Sequence, residues 1–175
     1  MASFWNEPGL QPKRKSRFIL NLGGLDVWVV KRVKKPSFEI NESEHIFLNH
    51  KFYYPGTVSW NEIDCTLVDP LTPDAALTMY LALERSGYNL PVDQGSAMIS
   101  TVSKAAAVSA LGAVNIRQVS AGNEIIEDFS LHNAWIKNVD FGELDYSVDD
   151  LSEITLTLRY DFAQMMDVGT QPANL

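Results

Sequence analysis

An antiparallel β-sandwich or barrel with a helix packed at its side, an α+β chain that is mainly β, is the fold class this 175-residue sequence predicts. Two observations predict it. Ile154, Leu156, Leu158, Tyr160 and Phe162 alternate with Glu153, Thr155, Thr157, Arg159 and Asp161, five consecutive matches to the period of a half-buried strand. About eight strand-like segments also fall into two groups on either side of one or two helices, an order that disfavours a parallel βαβ sheet.

In chain order, residues 1–17 read as an arm: polar, interrupted by Pro8, Gly9 and Pro12, and ending in the basic run Pro12 to Arg17. The arm carries Phe4 and Trp5, large aromatics that need somewhere to dock. The basic run is too short a pattern to assign a nucleic-acid or import role. Phe18 to Leu22 predicts a first strand, Gly23-Gly24 a turn, and Leu25 to Val33 a second strand rich in β-branched residues. Ser37 to Asn41 places Phe38 and Ile40 on one face, with Glu39 and Asn41 on the other. Asn41 to Glu44 predicts a polar turn leading into a long strand, Ile46 to Tyr54, that is apolar on both faces. Such a strand is either central and buried or covered from outside its own core. Pro55-Gly56 then predicts a break, after which Trp60 to Val68 turns Ile63, Cys65 and Leu67 inward.

The clearest helix is Ala75 to Ser86, with Asp74 at its start, Gly87 at its stop, and Leu77, Tyr80, Leu81 and Glu84 at helical spacing. Ser96 to Leu111 fits a second helix or a loosely ordered insertion. Strands follow at Val114 to Val119, Glu124 to His132, and Trp135 to Asp145 with a break at Gly142. The chain after Gln164 reads as a polar tail, which gives an 18–164 domain and a 165–175 tail.

The composition, 46% hydrophobic and 21% charged, excludes intrinsic disorder, and no apolar run approaches the roughly 20 residues of a membrane span. The first residues lack the layout of a signal peptide. Cys65 is the only cysteine, so no internal disulfide or multi-cysteine zinc site is expected. The net charge of −8 is uneven: residues 1–60 balance at +4 and residues 61–175 at −12. An acidic body is a poor clamp for phosphates, which bind by displacing counterions with cations.

No catalytic centre is legible. His45 and His50 lie an odd number of residues apart, so a continuous strand would point them to opposite faces. His132 is the only other histidine, and no GxSxG, HExxH, P-loop or GxGxxG occurs. Cys65 has the parity of a buried small hydrophobe. The acidic stretch Asp140 to Asp150 lacks the ligand spacing of a calcium loop and fits turn-forming aspartates at strand ends. No cofactor, no metal and no enzymatic activity are expected.

Several segments, taken together and in order, carry a family resemblance. They are the arm Phe4-Trp5-Asn6-Glu7-Pro8 to Lys15; Lys35 to Ile40 entering a long hairpin; and Tyr54-Pro55-Gly56-Thr57 before Trp60. Cys65 to Asp69 running into a helix, Phe129 to Trp135, Leu144-Asp145, and Glu153 to Tyr160 complete the set. In these the chain resembles the tail tube protein of contractile-tailed bacteriophages, a family related in fold to the inner tubes of other contractile injection systems. Leu90 to Leu111 departs from the family pattern, as a helical insertion would.

The resemblance implies a virion protein, assembled in the host bacterial cytoplasm, whose hexameric rings stack into a tube. Its partners would be copies of itself, the tail sheath protein, baseplate and tube-terminating proteins, and genomic DNA passing through the lumen without specific binding. Two rivals stand beside it: a baseplate or secretion-system tube component on the same fold, and a β-sandwich carbohydrate-binding module using Trp28, Trp60 or Trp135. Within the tube reading, Phe4, Trp5, Phe47, Phe52 and Tyr53 are expected at contacts between subunits. Glu39 and Asp128 are expected to face the lumen, because their neighbours Phe38, Ile40 and Phe129 share the apolar parity.

Overall fold

The computed structural model describes residues 12–23, 27–89, 101–147 and 149–166. Inward-facing aliphatic side chains at every second position build two four-stranded antiparallel sheets that pack face to face. The first has the order β1 (Phe18–Leu22), β6 (Val114–Val119), β7 (Ile125–His132), β10 (Phe162–Met166). The second has the order β2 (Val30–Val33), β5 (Ile63–Val68), β9 (Glu153–Arg159), β8 (Trp135–Asp140). Leu20, Leu22, Val114, Ile116 and Leu131 from one sheet meet Ile63, Cys65, Leu67, Ile154, Leu156 and Leu158 from the other in one core. This is the antiparallel sandwich of the sequence reading, with Ile63, Cys65 and Leu67 inward as their parity requires.

Helix α1 (Ala75–Arg85) begins where the Asp74 side chain accepts a bond from the Leu77 amide at 2.8 Å. It ends at Ser86 and Gly87, whose φ of +103° suits only glycine without strain. Its buried stripe is Ala75, Met79 and Ala82, whereas Leu77 and Leu81 face outward, so the stripe expected from the sequence is rotated. Helix α2 (Lys104–Leu111), capped by Ser103, packs against α1 and β8. Of the segment 90–111 expected to be an insertion, residues 90–100 lie outside the described residues.

Several boundaries differ from expectation; the strand expected over Trp135 to Asp145 ends at Asp140, and the second helix starts at Lys104. The second strand is shorter: residues Val27–Val29 form a 3-10 turn and β2 starts at Val30. Asn41 to Glu44 is no turn but the middle of β3 (Phe38–Phe47), and the chain reverses at Leu48-Asn49, with Leu48 at φ +53°. Nor does Pro55-Gly56 break the chain, because β4 (His50–Trp60) runs through it. The register moves from Ile40↔Val58 to Glu42↔Pro55, so one extra residue of β4 is absorbed as a bulge opposite Asn41. A Cβ on Gly56 would sit 2.9 Å from the Asn41 carbonyl oxygen, which explains glycine at that position. Finally, the Glu153 to Phe162 run turns at Tyr160-Asp161. Four of its five apolar residues are buried, whereas Phe162 is exposed and opens β10, and regular structure continues to Met166.

Candidate assembly surface

Strands β3 and β4 pair only with each other and form a hairpin that leaves the sandwich between β2 and β5. At about 3.4 Å per residue the ten residues of β3 reach about 30 Å. The base is tied down. Asn61 N–H donates to the Ser37 carbonyl at 2.9 Å, and Arg159 Nη1 donates to the Trp60 carbonyl at 3.2 Å. The Trp60 ring lies 5.3 Å from Phe38 and 6.0 Å from Tyr160. Beyond that base every residue from Phe38 to Ser59 is exposed. A central buried strand is therefore excluded, and cover has to come from outside the described residues.

The bulge sorts the side chains of the distal hairpin. One face carries Tyr54, Phe52 and Phe47 with His45 and His50; the other carries Tyr53, Ile46 and the ion pair Lys51–Glu44 at 3.0 Å. His45 and His50 thus share a face, because the turn at Leu48-Asn49 puts them on different strands. The opposite-face expectation assumed one continuous strand. Phe47 is 61% exposed and the tip residue Leu48 80%. A contiguous apolar surface of this kind on a fixed arm marks an interaction site.

The residues expected at contacts separate as follows. Phe47 and Phe52 lie together on one hairpin face, Tyr53 on the other, and Phe4 and Trp5 lie outside the described residues. Sequence reasoning missed Phe38, Ile40 and Val58, which form an exposed apolar patch at the hairpin base. Their even-odd alternation with polar residues was the available signal, but it reads equally well as a core face. Glu39 lies at the hairpin base and accepts a bond from Asn61 Nδ2 at 3.3 Å. Asp128 lies on the outward face of the first sheet, where Arg117 Nε donates to it at 2.9 Å. The two carboxylates are on separate sheets and make no common cluster.

As chemistry the described residues offer little. Burial pushes the Cys65 thiol up to about 12, so it is protonated at neutral pH and has no nucleophile's character. Among the described residues no group of three or more His, Cys, Asp or Glu side chains is placed to hold a metal ion, and no helix is long and apolar enough to cross a membrane. Asp140 and Asp145 cap turns: their carboxylates accept the amides of Gly142 and Ser147 at 3.0 and 2.9 Å. Lys13 and Lys35 both donate to Glu127, and together they hold its carboxyl below the usual range.

No protein-family model and no curated protein matches the sequence. Several solved structures match the fold over nearly the whole chain. A chain of the anti-feeding prophage baseplate, solved by cryo-electron microscopy and 6-fold symmetrised, superposes with a TM-score of 0.66 at 14% identity, covering 91% of this chain and 98% of that one. A chain of the anti-feeding prophage tube-terminating cap gives 0.66 at 18% identity, covering 95% and 99%. A chain of the sheath–tube complex of the PVC extracellular contractile injection system, in its extended state, gives 0.64 at 16% identity, covering 96% and 100%. The chain has the fold of chains found in contractile injection systems, which is the fold its sequence resemblance implied.

Proposed function

We propose that this chain is a non-enzymatic structural subunit that polymerises with itself, as stacked six-membered rings, into the inner tube of a contractile phage tail. The observation that carries the reading is the projecting hairpin, an anchored arm whose aromatic surface none of the described residues covers. Hydrophobic surface held out on a rigid ribbon gains free energy only when another molecule covers it. The fold shared with the sheath–tube chain supports the choice of a tube as that assembly. Phe47, Phe52 and Tyr53, with Phe4 and Trp5 of the arm, make the subunit contacts in this reading.

The passage formed by the rings carries DNA, and a predominantly acidic body keeps phosphates from adhering. Glu39 and Asp128 are the proposed lumen-facing carboxylates; the charge of Asp128 is offset by Arg117. Sheath, baseplate and tube-terminating proteins complete the particle, a virion tail assembled in the host cytoplasm. Residues 1–17 act as an arm, 18–164 as the tube domain and 165–175 as a tail.

A second reading is supported by the baseplate and cap likenesses: the same fold serving at an end of a tube. The carbohydrate-binding alternative loses its groove. Trp60 packs at a tilt against both Phe38 and Tyr160, Trp135 lines the cavity beside the helices, and Trp28 stands on the 3-10 turn, in three separate places. Negative-stain electron microscopy of purified protein across a concentration series tests the proposal. Rings or tubes from the wild type, lost in Trp5→Ala and Phe47→Ala, are expected; a strict monomer at every concentration refutes it. Copy number in the particle separates a tube wall from a tube end.

A further inference from the structure

At the β1/β2 edge the two sheets part around a cleft of about 790 Å³. Its floor is apolar: Phe18, Val33, Ile116 and Phe129. Its rim carries five cations, Lys13, Lys15, Lys31, Arg32 and Lys35, against the single carboxylate Glu127; Arg117 also lines it, but its guanidinium is held by Asp128 on the outward face. Glu127 engages Lys13 and Lys35 together, so that triad keeps a positive charge. Lys31 pairs with Glu153 and Arg117 with Asp128, whereas no carboxylate among the described residues pairs with Lys15 or Arg32. The cleft is thus greasy inside and positive at its lip.

The loop after β8 has the opposite character. Asp140, Glu143 and Asp145 alternate with Phe141, Leu144 and Tyr146, and none of the three carboxylates has a cationic partner among the described residues. Leu144 is 90% exposed and Tyr146 fully so. The loop is already shaped. Gly142 N–H donates to Asp140 at 3.0 Å, the Ser147 hydroxyl donates to Asp145 at 2.8 Å, and Gly142 takes φ +81°. The bonds from Ser147 also hold the Asp145 carboxyl below its usual range, so it stays charged. A preformed loop loses little conformational entropy on docking.

We infer that the acidic, apolar loop 140–147 of one copy seats in the basic-lipped cleft of the next, with Phe141, Leu144 and Tyr146 over the apolar floor and the carboxylates against Lys15, Arg32 and their neighbours. This rests on the self-assembly reading above and names one of its contacts. β8 and β2 are opposite edges of the same sheet, three strand spacings or about 14 Å apart. Loop and cleft are therefore different patches, and their union is head-to-tail: it passes from copy to copy and closes as a ring or continues as a stack. Complementary charge also steers the encounter and rejects the reversed orientation.

The test uses two charge-reversed variants of the full chain, Glu143→Lys/Asp145→Lys in the loop and Lys15→Glu/Arg32→Glu at the lip. Assembly is followed by sedimentation velocity and electron microscopy. Each variant alone is expected to need at least about tenfold more protein than the wild type to assemble. In an equimolar mixture every reversed loop can meet a reversed cleft, so assembly is expected to return to within about threefold of the wild type. That recovery also shows that both variants fold. Either variant assembling normally by itself, or a mixture no better than its parts, overturns the contact; a cleft filled by residues 1–11 instead would leave the loop variant normal. If those results come with a wild type that still forms rings, the tube reading survives without this contact. A wild type that never assembles removes both.

Discussion

Replacing Phe47 by alanine separates a contact residue from a core residue. A phenylalanine offers about 200 Å² of surface, and Phe47 is 61% exposed, so about 120 Å² awaits burial by a partner. At about 25 cal/mol per Å² that is about 3 kcal/mol, an upper value, of which alanine would keep a small part. A loss of about 2 kcal/mol per contact raises the concentration needed for assembly about 30-fold. The isolated fold should hardly notice, with a change within about 0.5 kcal/mol, because the ring is not in the core. Leu156→Ala is the contrast: that side chain is fully buried between the sheets, and its truncation should cost about 2–5 kcal/mol of folding stability. The assay pairs a dilution series by light scattering with a thermal melt of the monomer. Phe47→Ala that assembles like the wild type, or that melts like a core mutant, refutes the reasoning.

Three further outcomes are expected. Cys65 should resist thiol reagents at pH 8 until the protein is denatured, because its thiol is buried and protonated there; Cys65→Ser should cost about 1–3 kcal/mol, measured by urea unfolding, by burying a hydroxyl. Glu127 has a folded-state pKa lowered by Lys13 and Lys35, so its pairs stabilise the fold above the ordinary glutamate value and lose that contribution as pH falls through the lower folded value. Glu127→Gln should therefore destabilise by about 1 kcal/mol at pH 7, and the difference should close in strong acid; a difference that persists there would mean packing, not charge.

The hairpin shows where reading by residue type stops. Phe38 and Ile40 announced their shared face by alternation; that Trp60 and Val58 lie opposite them on the same face came only from the strand pairing. The turn was misplaced because Asn41 to Glu44 is polar throughout whereas Leu48-Asn49 offers a single turn-forming residue, and a two-residue reversal through a leucine at φ +53° has almost no local signature. His45 and His50 then changed sides with it. The α1 stripe rotated as well: Ala75, Met79 and Ala82 face the core, and Leu77 and Leu81, whose spacing alone suggested the buried side, face outward.

Alternation and capping residues determined the class of fold, the inward set Ile63, Cys65, Leu67, Ile154, Leu156 and Leu158, and the capped helix, because each depends on neighbours along the chain. Only the tertiary structure decided that the aromatic-bearing strands β3 and β4 lie outside the core, and that a basic lip gathered from residues as far apart as Lys13 and Lys35 stands across the sheet from an acidic loop. A hydrophobic pattern states that a face must be covered and leaves open by what. The answer depends on which strands the two sheets have already paired and on how much of the chain remains to cover the rest.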